Sequence, residues 1–134
     1  MSADLTDQQR HEQGMDVRRA VLGDTHVDLA VANTTDFTAA FQDFITRSAW
    51  GDIWARPGLD RRTRSIVTLT ALLALGQNHE LAMHVRAGLT NGLTRDEIAE
   101  IFLHAAIYAG VPAANSAFAV AQQVLAELDA ETSD

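Results

Sequence analysis

The sequence predicts an all-α protein of about six or seven helices, and two kinds of pattern indicate this class. Apolar residues recur at helical spacing in several segments, as where Ile98, Phe102 and Ala105 fall on one face. Residues that start or stop helices separate these segments, among them a capping box formed by Thr94 and Glu97. No hairpin signal or alternating strand pattern is present, so we expect a purely helical fold.

The first half of the chain predicts short helices followed by an irregular segment. A mostly polar helix or arm covers residues 4–19 and ends before Gly23, and Asp24-Thr25 caps a short helix over residues 26–32. Thr34 to Asp36 caps the next helix. That helix is expected to bury an aromatic face, because its apolar residues recur at helical spacing. WGDIW, residues 50–54, is predicted to be an irregular loop or a single turn. The residues of the predicted aromatic face are Phe37, Phe41, Phe44 and Ile45.

The second half predicts four longer helices. The central helix follows Asp60, and its apolar residues are spread so widely around it that we expect burial on most sides. Gly76 breaks it, a helix over residues 79–90 follows, and the capping-box helix ends at Gly110. Pro112 suits the first turn of the last helix, which continues to about Leu128. The apolar positions of the central helix are Ile66, Val67, Leu69, Leu72, Leu73 and Leu75.

Length and composition restrict the functions that this protein can have. With 134 residues we expect a single domain, with an arm over residues 1–12 and a polar tail over residues 129–134. A net charge of −8 argues against nucleic-acid binding. All ten basic residues are arginine and cysteine is absent, which excludes Schiff-base, thiol and disulfide chemistry. Neither a signal peptide nor a membrane span is recognisable, so a cytoplasmic location is expected.

Arg61, Arg62 and Arg64 lie in the first turn of the predicted central helix, where the helix dipole already places partial positive charge. A bound carboxylate would offset the unfavourable accumulation of positive charge, because helix N-terminal N–H groups and arginine side chains both bind carboxylates. The alternative is that these arginines pair with Asp52, Asp60 or acidic residues of a neighbouring subunit. The sequence leaves both interpretations open.

Glu80 and His84 are four residues apart and therefore share one face of their helix. A carboxylate beside an imidazole fixes its orientation and favours its charged form, as a general acid or base requires. The alternative is a simple surface pair. His79 is five residues from His84, so the two histidines do not match the zinc-protease spacing, and no metal site is predicted.

Two further groups of residues are candidates for a pocket. His104 and Tyr108 are four residues apart, and Asn115 follows at the start of the last helix. Alternatively, His104 is a core residue whose polar atoms are hydrogen-bonded within the protein. Trp50 and Trp54 are either core or interface residues, or walls of a pocket.

Three segments together resemble a known family: WGDIWARPGLDRRTRSIVTLTALLALG, HELAMHVRAGLTNGLTRDEI and HAAIYAGVPAANSAF. They are similar to the carboxymuconolactone decarboxylase family of the alkylhydroperoxidase D-like superfamily, over residues 13–127. Peroxidases of that superfamily carry a CxxC pair before a histidine that matches His84, and they tend to carry a glutamate at the position of Ser65. This chain has Gln77 and Glu80 in place of the cysteines, so peroxidase activity is excluded.

The resemblance implies helical subunits that form homotrimers or homohexamers with active sites near subunit contacts. It also implies cofactor-free decarboxylation of 4-carboxymuconolactone, a lactone dicarboxylate, to 3-oxoadipate enol-lactone in the protocatechuate branch of the β-ketoadipate pathway. In that reaction we expect His84 to act as the acid, with Glu80 fixing its orientation and favouring its charged form. We expect Arg62 or Arg64 to bind the acetate group. The other candidates would stabilise the oxyanion or line an apolar slot: His104, Tyr108, Asn115, Trp50 and Trp54.

Two other functions remain open at this point. The first is a non-catalytic helical oligomer that binds a small dicarboxylate or lactone through the same arginines. The second is a decarboxylase or isomerase of a related lactone.

Overall fold

The computed structural model describes residues 4–133, and all regular structure in that range is helical, which confirms the all-α prediction. Two compact units divide the chain, the first ending at Asp60 and the second beginning at Arg61. The first unit contains α1 (Asp7–Leu22), α2 (Asp24–Ala32), α3 (Ala39–Ile45) and a π-helix (Thr46–Trp54). The second contains α4 (Arg61–Leu75), α5 (Asn78–Thr90), α6 (Arg95–Ala109) and α7 (Val111–Thr132).

The domain boundaries given by the sequence stay predictions. Residues 7–12 of the expected arm belong to α1, and residues 129–132 of the expected tail belong to α7, while residues 1–3 and 134 lie outside the described range. Between residues 4 and 133, no helix is long and apolar enough to cross a membrane. The cytoplasmic location stays a prediction.

Helix ends in the first unit depend on local hydrogen bonds. Thr6 caps α1, because its hydroxyl accepts from the Gln9 amide at 3.1 Å while the Gln9 side chain accepts from the Thr6 amide at 2.8 Å. Gly23 ends α1 as predicted. The predicted cap at Asp24-Thr25 is wrong, because α2 already begins at Asp24 and Gly23 occupies the cap position without a side-chain bond.

The predicted buried aromatic face is wrong. Helix α3 begins only at Ala39, because residues 35–38 form a separate turn in which Thr38 Oγ1 accepts from the Thr35 amide at 3.0 Å. Phe37 therefore precedes the helix and is 96% exposed. Phe41 and Phe44 are on α3, but both are more than half exposed.

The segment predicted to be a loop or single turn is instead part of the nine-residue π-helix, and that prediction is wrong. The backbone of the π-helix lies against α1 at two glycines. A Cβ on Gly14 would lie 2.0 Å from the Thr46 carbonyl oxygen, and a Cβ on Gly51 would lie 2.5 Å from the Arg10 carbonyl oxygen. The two helices approach this closely only because neither glycine carries a side chain.

The core of the second unit lies among α4 to α7. Helix α4 buries Ser65, Leu69 and Leu73 along one face, whereas Val67 and Leu75 are exposed. The prediction that α4 is buried on most sides is therefore wrong within this chain, because its neighbours cover only that face. On α6, Ile98, Phe102 and Ala105 are buried as predicted, and they join the same core.

The predicted helix boundaries of the second unit are largely confirmed. Helix α4 begins directly after Asp60. Gly76 and Gly110 have φ values of 70° and 102°, a left-handed conformation that favours glycine, and they separate the helices there. The Thr94 capping box is present, and Pro112 lies in the first turn of α7. Helix α7 extends past the predicted end to Thr132.

Candidate active site

His84 lies on the buried side of α5. Its side chain is only 8% exposed, and it shares that side with Leu81, Val85 and Gly88. Glu80 is half-buried one turn earlier on the same helix. The alternative of a simple surface pair is therefore wrong for His84, whose imidazole is largely removed from solvent. In such surroundings bulk water has little access, so it competes little with the imidazole as a source of protons.

Two contacts of α4 hold the end of α5 that follows His84. Asn91, directly after α5, donates from its side chain to the Ser65 hydroxyl at 2.9 Å, and Ser65 is fully buried on α4. Gly88, one turn after His84, leaves room for this packing, since a Cβ there would lie 3.1 Å from Leu93 Cδ1 and 3.9 Å from Ser65 Cβ. These contacts hold the end of α5 closely against α4.

Arg62 is engaged in an ion pair within the second unit. Its guanidinium contacts Glu97 Oε2, and the other carboxylate oxygen of Glu97 accepts from the Thr94 amide at 3.0 Å. The same carboxylate therefore completes the capping box of α6 and pairs with the start of α4. The pairing interpretation holds for Arg62, although its partner Glu97 was not foreseen. Asp52, one of the predicted partners, lies 3.6 Å from Arg10 Nε in the first unit.

His104 and Tyr108 form a stacked pair on α6, with ring centroids 5.6 Å apart and ring planes 28° apart. Both are exposed, as is Asn115 on α7, so the core alternative for His104 is wrong. Their exposed apolar neighbours include Leu103 and Ile107. Because these polar groups are exposed, they would need another surface over them to act in a water-poor site.

The remaining predicted residues lie on two different helices. Trp50 and Trp54 belong to the π-helix of the first unit, and their ring centroids are 5.1 Å apart. Trp50 is buried and Trp54 is half-buried. Arg64 is half-buried on α4 in the second unit.

A cavity that the sequence did not predict lies between α6 and α7, with a volume of about 430 Å³. Phe102 and Phe118 meet edge to face in its wall, and Arg95 pairs with Asp129 at 2.7 Å on its rim. The hydrogen bond from Arg95 lowers the pKa of Asp129. None of the predicted site residues lines this cavity. Ala99, Ala121 and Ala126 are among its lining residues, and such small residues beside aromatic ones are the sequence signal that could have indicated it.

Metal binding finds no support in the geometry of the described residues. Between residues 4 and 133, no group of three or more histidine, aspartate or glutamate side chains is arranged to hold a metal ion.

Comparison with known proteins places the chain in a family. The model of the carboxymuconolactone decarboxylase family matches residues 39–123, which is more than half of the sequence. The chain therefore belongs to the carboxymuconolactone decarboxylase family.

Individual relatives are similar over most of their length. The chain is 51% identical to 4-carboxymuconolactone decarboxylase of Acinetobacter baylyi, over 92% of each protein. It is 41% identical to nitrosuccinic acid decarboxylase npaB of Metarhizium robertsii, over 96% of this chain and 92% of that protein. A 48-residue 4-carboxymuconolactone decarboxylase sequence of Pseudomonas putida is 52% identical over its whole length, which covers 36% of this chain.

Proposed function

We propose that this protein decarboxylates 4-carboxymuconolactone to 3-oxoadipate enol-lactone and CO2, as part of protocatechuate degradation. The observation that carries the proposal is the 51% identity, over 92% of each chain, to a relative named for this activity. Family membership and the all-helical fold support it. The buried position of His84 supports its role as the acid.

The chemistry of the substrate explains why no cofactor is needed. The departing carboxylate is on a ring carbon next to a double bond that is conjugated with the lactone carbonyl. When the C–C bond to CO2 breaks, its electron pair moves through the double bond onto the carbonyl oxygen and forms a dienolate. His84 then donates a proton to the α carbon, which gives the enol-lactone. Each donor aimed at the developing oxyanion contributes on the order of 3 kcal/mol.

The acetate group of the substrate needs a cationic partner, and we propose Arg64 of α4 for this role. Arg62 already contacts Glu97, so binding a substrate carboxylate would require that ion pair to break. Arg64 is half-buried on the same helix, where a charge-assisted hydrogen bond is less screened by water.

We expect Arg62→Met to change stability slightly and substrate binding hardly at all. Its ion pair is partly exposed, with 44% of the Arg62 side chain accessible, so its loss should lower the free energy of unfolding by about 1 kcal/mol or less. Urea unfolding and the KM for 4-carboxymuconolactone measure the two effects, with exposed Arg61→Met as the matched control. A tenfold higher KM in Arg62→Met alone would instead assign Arg62 to the acetate group.

The active site is proposed to be completed by further copies of this chain, in a homotrimer or homohexamer. Leu103, Ile107 and Val111 are exposed beside His104 and Tyr108, and such clustered apolar surface is typical of subunit contacts. A covering subunit would remove the polar groups from water and let them act as oxyanion donors. Light scattering is expected to give three or six times the chain mass of 14.5 kDa, and a monomer would contradict the proposal.

A second candidate substrate is nitrosuccinate, which the 41% identity to a relative named for it favours. Nitrosuccinic acid has a carboxylate on the carbon that bears the nitro group. Loss of CO2 from that carbon sends the electron pair onto the nitro oxygens, and protonation of the resulting nitronate completes the reaction. The site requirements are the same. The site needs a cationic group that binds the second carboxylate, hydrogen-bond donors for the new anion, and an acid that protonates carbon.

The deciding experiment supplies purified protein with freshly generated 4-carboxymuconolactone and, separately, with nitrosuccinate, while CO2 and both products are measured. We expect efficient turnover of the lactone. Turnover of nitrosuccinate alone would favour the second candidate. Tight binding of the lactone without CO2 release would favour the non-catalytic dicarboxylate binder, and activity on other lactones alone would favour a related decarboxylase or isomerase.

A further inference from the structure

A long stretch of the second unit carries no formally charged residue. Neither aspartate, glutamate, lysine nor arginine occurs between Ile101 and Ala126, a stretch that includes the second half of α6 and most of α7. Four residues in this stretch form an exposed surface that we call the apolar ridge. They are Leu103, Ile107, Tyr108 and Val111. Exposed surface without charges is typical of the centre of a protein interface, where charged residues are depleted.

The area of this surface suits a contact between two proteins. The four residues of the apolar ridge are between 59% and 82% exposed, and Phe118 of α7 is 40% exposed. Together they present roughly 600 Å² of mainly apolar surface, which is at the upper end for the largest patch on a monomer. A stable interface buries about 800 Å² of each partner, so these five residues would supply most of it.

The cavity between α6 and α7 continues the same face of the second unit. Ala99 lines the cavity one turn before Leu103 and two turns before Ile107, so the three residues follow one face of α6. The lining residues of α7 also recur every four positions, and they are Phe118, Gln122 and Ala126. The face therefore has a hollow of about 430 Å³ towards one end and the apolar ridge towards the other.

The charged residues of α6 and α7 lie at the cavity end of this face. By sequence they come before Ile101 and after Ala126, and the contact between Arg95 and Asp129 brings these two segments together. Arg95 donates to both carboxylate oxygens of Asp129, at 2.7 and 3.3 Å. Because the two charges neutralise each other, this rim costs an apolar partner less desolvation than a lone charge would.

A two-fold contact between two copies would match these two ends. A rotation of 180° that sets the two α6 helices antiparallel places the apolar ridge of each copy over the cavity of the other. Such a contact is self-complementary and closed. It also leaves the charged ends at the two outer edges, which gives the apolar centre and polar rim of an ordinary interface. Packing ridge against ridge would instead leave both cavities without packing partners.

We propose that α6 and α7 form a two-fold contact between two copies of this chain, in which the apolar ridge of each copy fills the cavity of the other. Leu103 and Ile107 are the side chains that enter the cavity. This inference rests on the oligomer proposed above and not on the decarboxylation. A two-fold contact joins copies in pairs, so it requires an even number of subunits and selects the homohexamer over the homotrimer.

Two charge substitutions test the two sides of the contact. Ile107→Glu changes the apolar ridge and Ala126→Arg changes the cavity, and both positions are exposed in the single chain. Each is expected to raise the Kd of the two-fold contact roughly 100-fold or more, because each contact then buries two unpaired charges. Light scattering should give six times the chain mass of 14.5 kDa for the wild type and three times for either variant.

An equimolar mixture of the two variants tests whether the ridge meets the cavity. In a mixed contact the new carboxylate of one copy faces the new guanidinium of the other, while the second ridge and cavity are unchanged. The mixture is therefore expected to regain the wild-type mass. Gln123→Arg is the matched control, because Gln123 is exposed on α7 but does not line the cavity, and it should keep the wild-type mass.

Circular dichroism establishes that each variant is folded, and Val111→Glu replaces Ile107→Glu if that variant unfolds. A trimeric wild type overturns the two-fold contact, and normal CO2 release by that trimer would leave the proposed decarboxylation intact. A monomeric wild type overturns both the contact and the proposed oligomer. Variants of wild-type mass, or a mixture that stays at three times the chain mass, also overturn the contact. Unchanged masses with a Tm that indole raises in the wild type but not in Ala126→Arg would assign the cavity to a small apolar ligand instead.

Discussion

His84→Ala is expected to lower kcat for 4-carboxymuconolactone about 100-fold or more, with little change in KM. General acid catalysis contributes a factor of this size, and a proton delivered to carbon cannot be supplied efficiently by water at a site that excludes it. His84 is 8% exposed, so its imidazole is shielded as the proposed role requires. Steady-state CO2 release and the unfolding midpoint of each variant provide the measurement.

His79→Ala is the matched control, because His79 is an exposed histidine on the same helix. It should retain wild-type kcat. His84→Asn, which keeps a polar side chain of similar size, covers the case in which the alanine variant unfolds. If a folded variant without His84 turned over as fast as the wild type, His84 could not be the acid, and the proton would have to come from another group.

Gly14→Ala is expected to destabilise the first unit by about 3 kcal/mol, which corresponds to a fall in Tm of roughly 10 °C. Its new Cβ would lie 2.0 Å from the Thr46 carbonyl oxygen and 2.9 Å from the Gly51 amide nitrogen. Both of these are backbone atoms, so α1 or the π-helix must move. Alanine gains up to ~1 kcal/mol over glycine from helix propensity, and the clash outweighs that gain.

Gly58→Ala tests the same chemical change where nothing lies within 4 Å of the added Cβ. Its Tm should stay close to that of the wild type. Circular dichroism during heating and urea unfolding would measure both variants. Equal stability of the two would show that α1 and the π-helix do not approach as closely as these distances require.

Local signals were enough to predict much of the helical plan. The Thr94 capping box and the glycines at positions 76 and 110 act within a few residues, so the sequence displays them directly. The π-helix could not be predicted in this way, because it packs against Gly14, which lies more than thirty residues before it in the sequence. The exposure of Phe37 was missed for a similar reason: apolar spacing indicates a face but does not show what covers it.

For the candidate site too, features set by local helix geometry could be predicted, and features set by tertiary packing could not. The shared face of Glu80 and His84 follows from helix geometry, whereas the burial of His84 depends on packing that sequence spacing does not reveal. The sequence left open whether Arg62 binds a ligand or pairs with an acidic side chain, and its partner Glu97 could not be predicted because it is thirty-five positions away and the contact is tertiary. Outside the site, the burial of Arg18 on α1 was missed, because a polar helix gives no sign that one of its arginines points inward.

The most direct measurement is the reaction of purified protein with 4-carboxymuconolactone in D2O, followed by measurement of CO2 and by NMR of the product with a chiral solvating agent, which distinguishes the two faces of the α carbon. The proposed acid protonates the α carbon of a dienolate, so we expect one CO2 per substrate and one deuterium at that carbon, on a single face. No CO2 release would contradict the decarboxylase assignment. Stoichiometric CO2 with deuterium on both faces would contradict protonation by an enzyme residue such as His84.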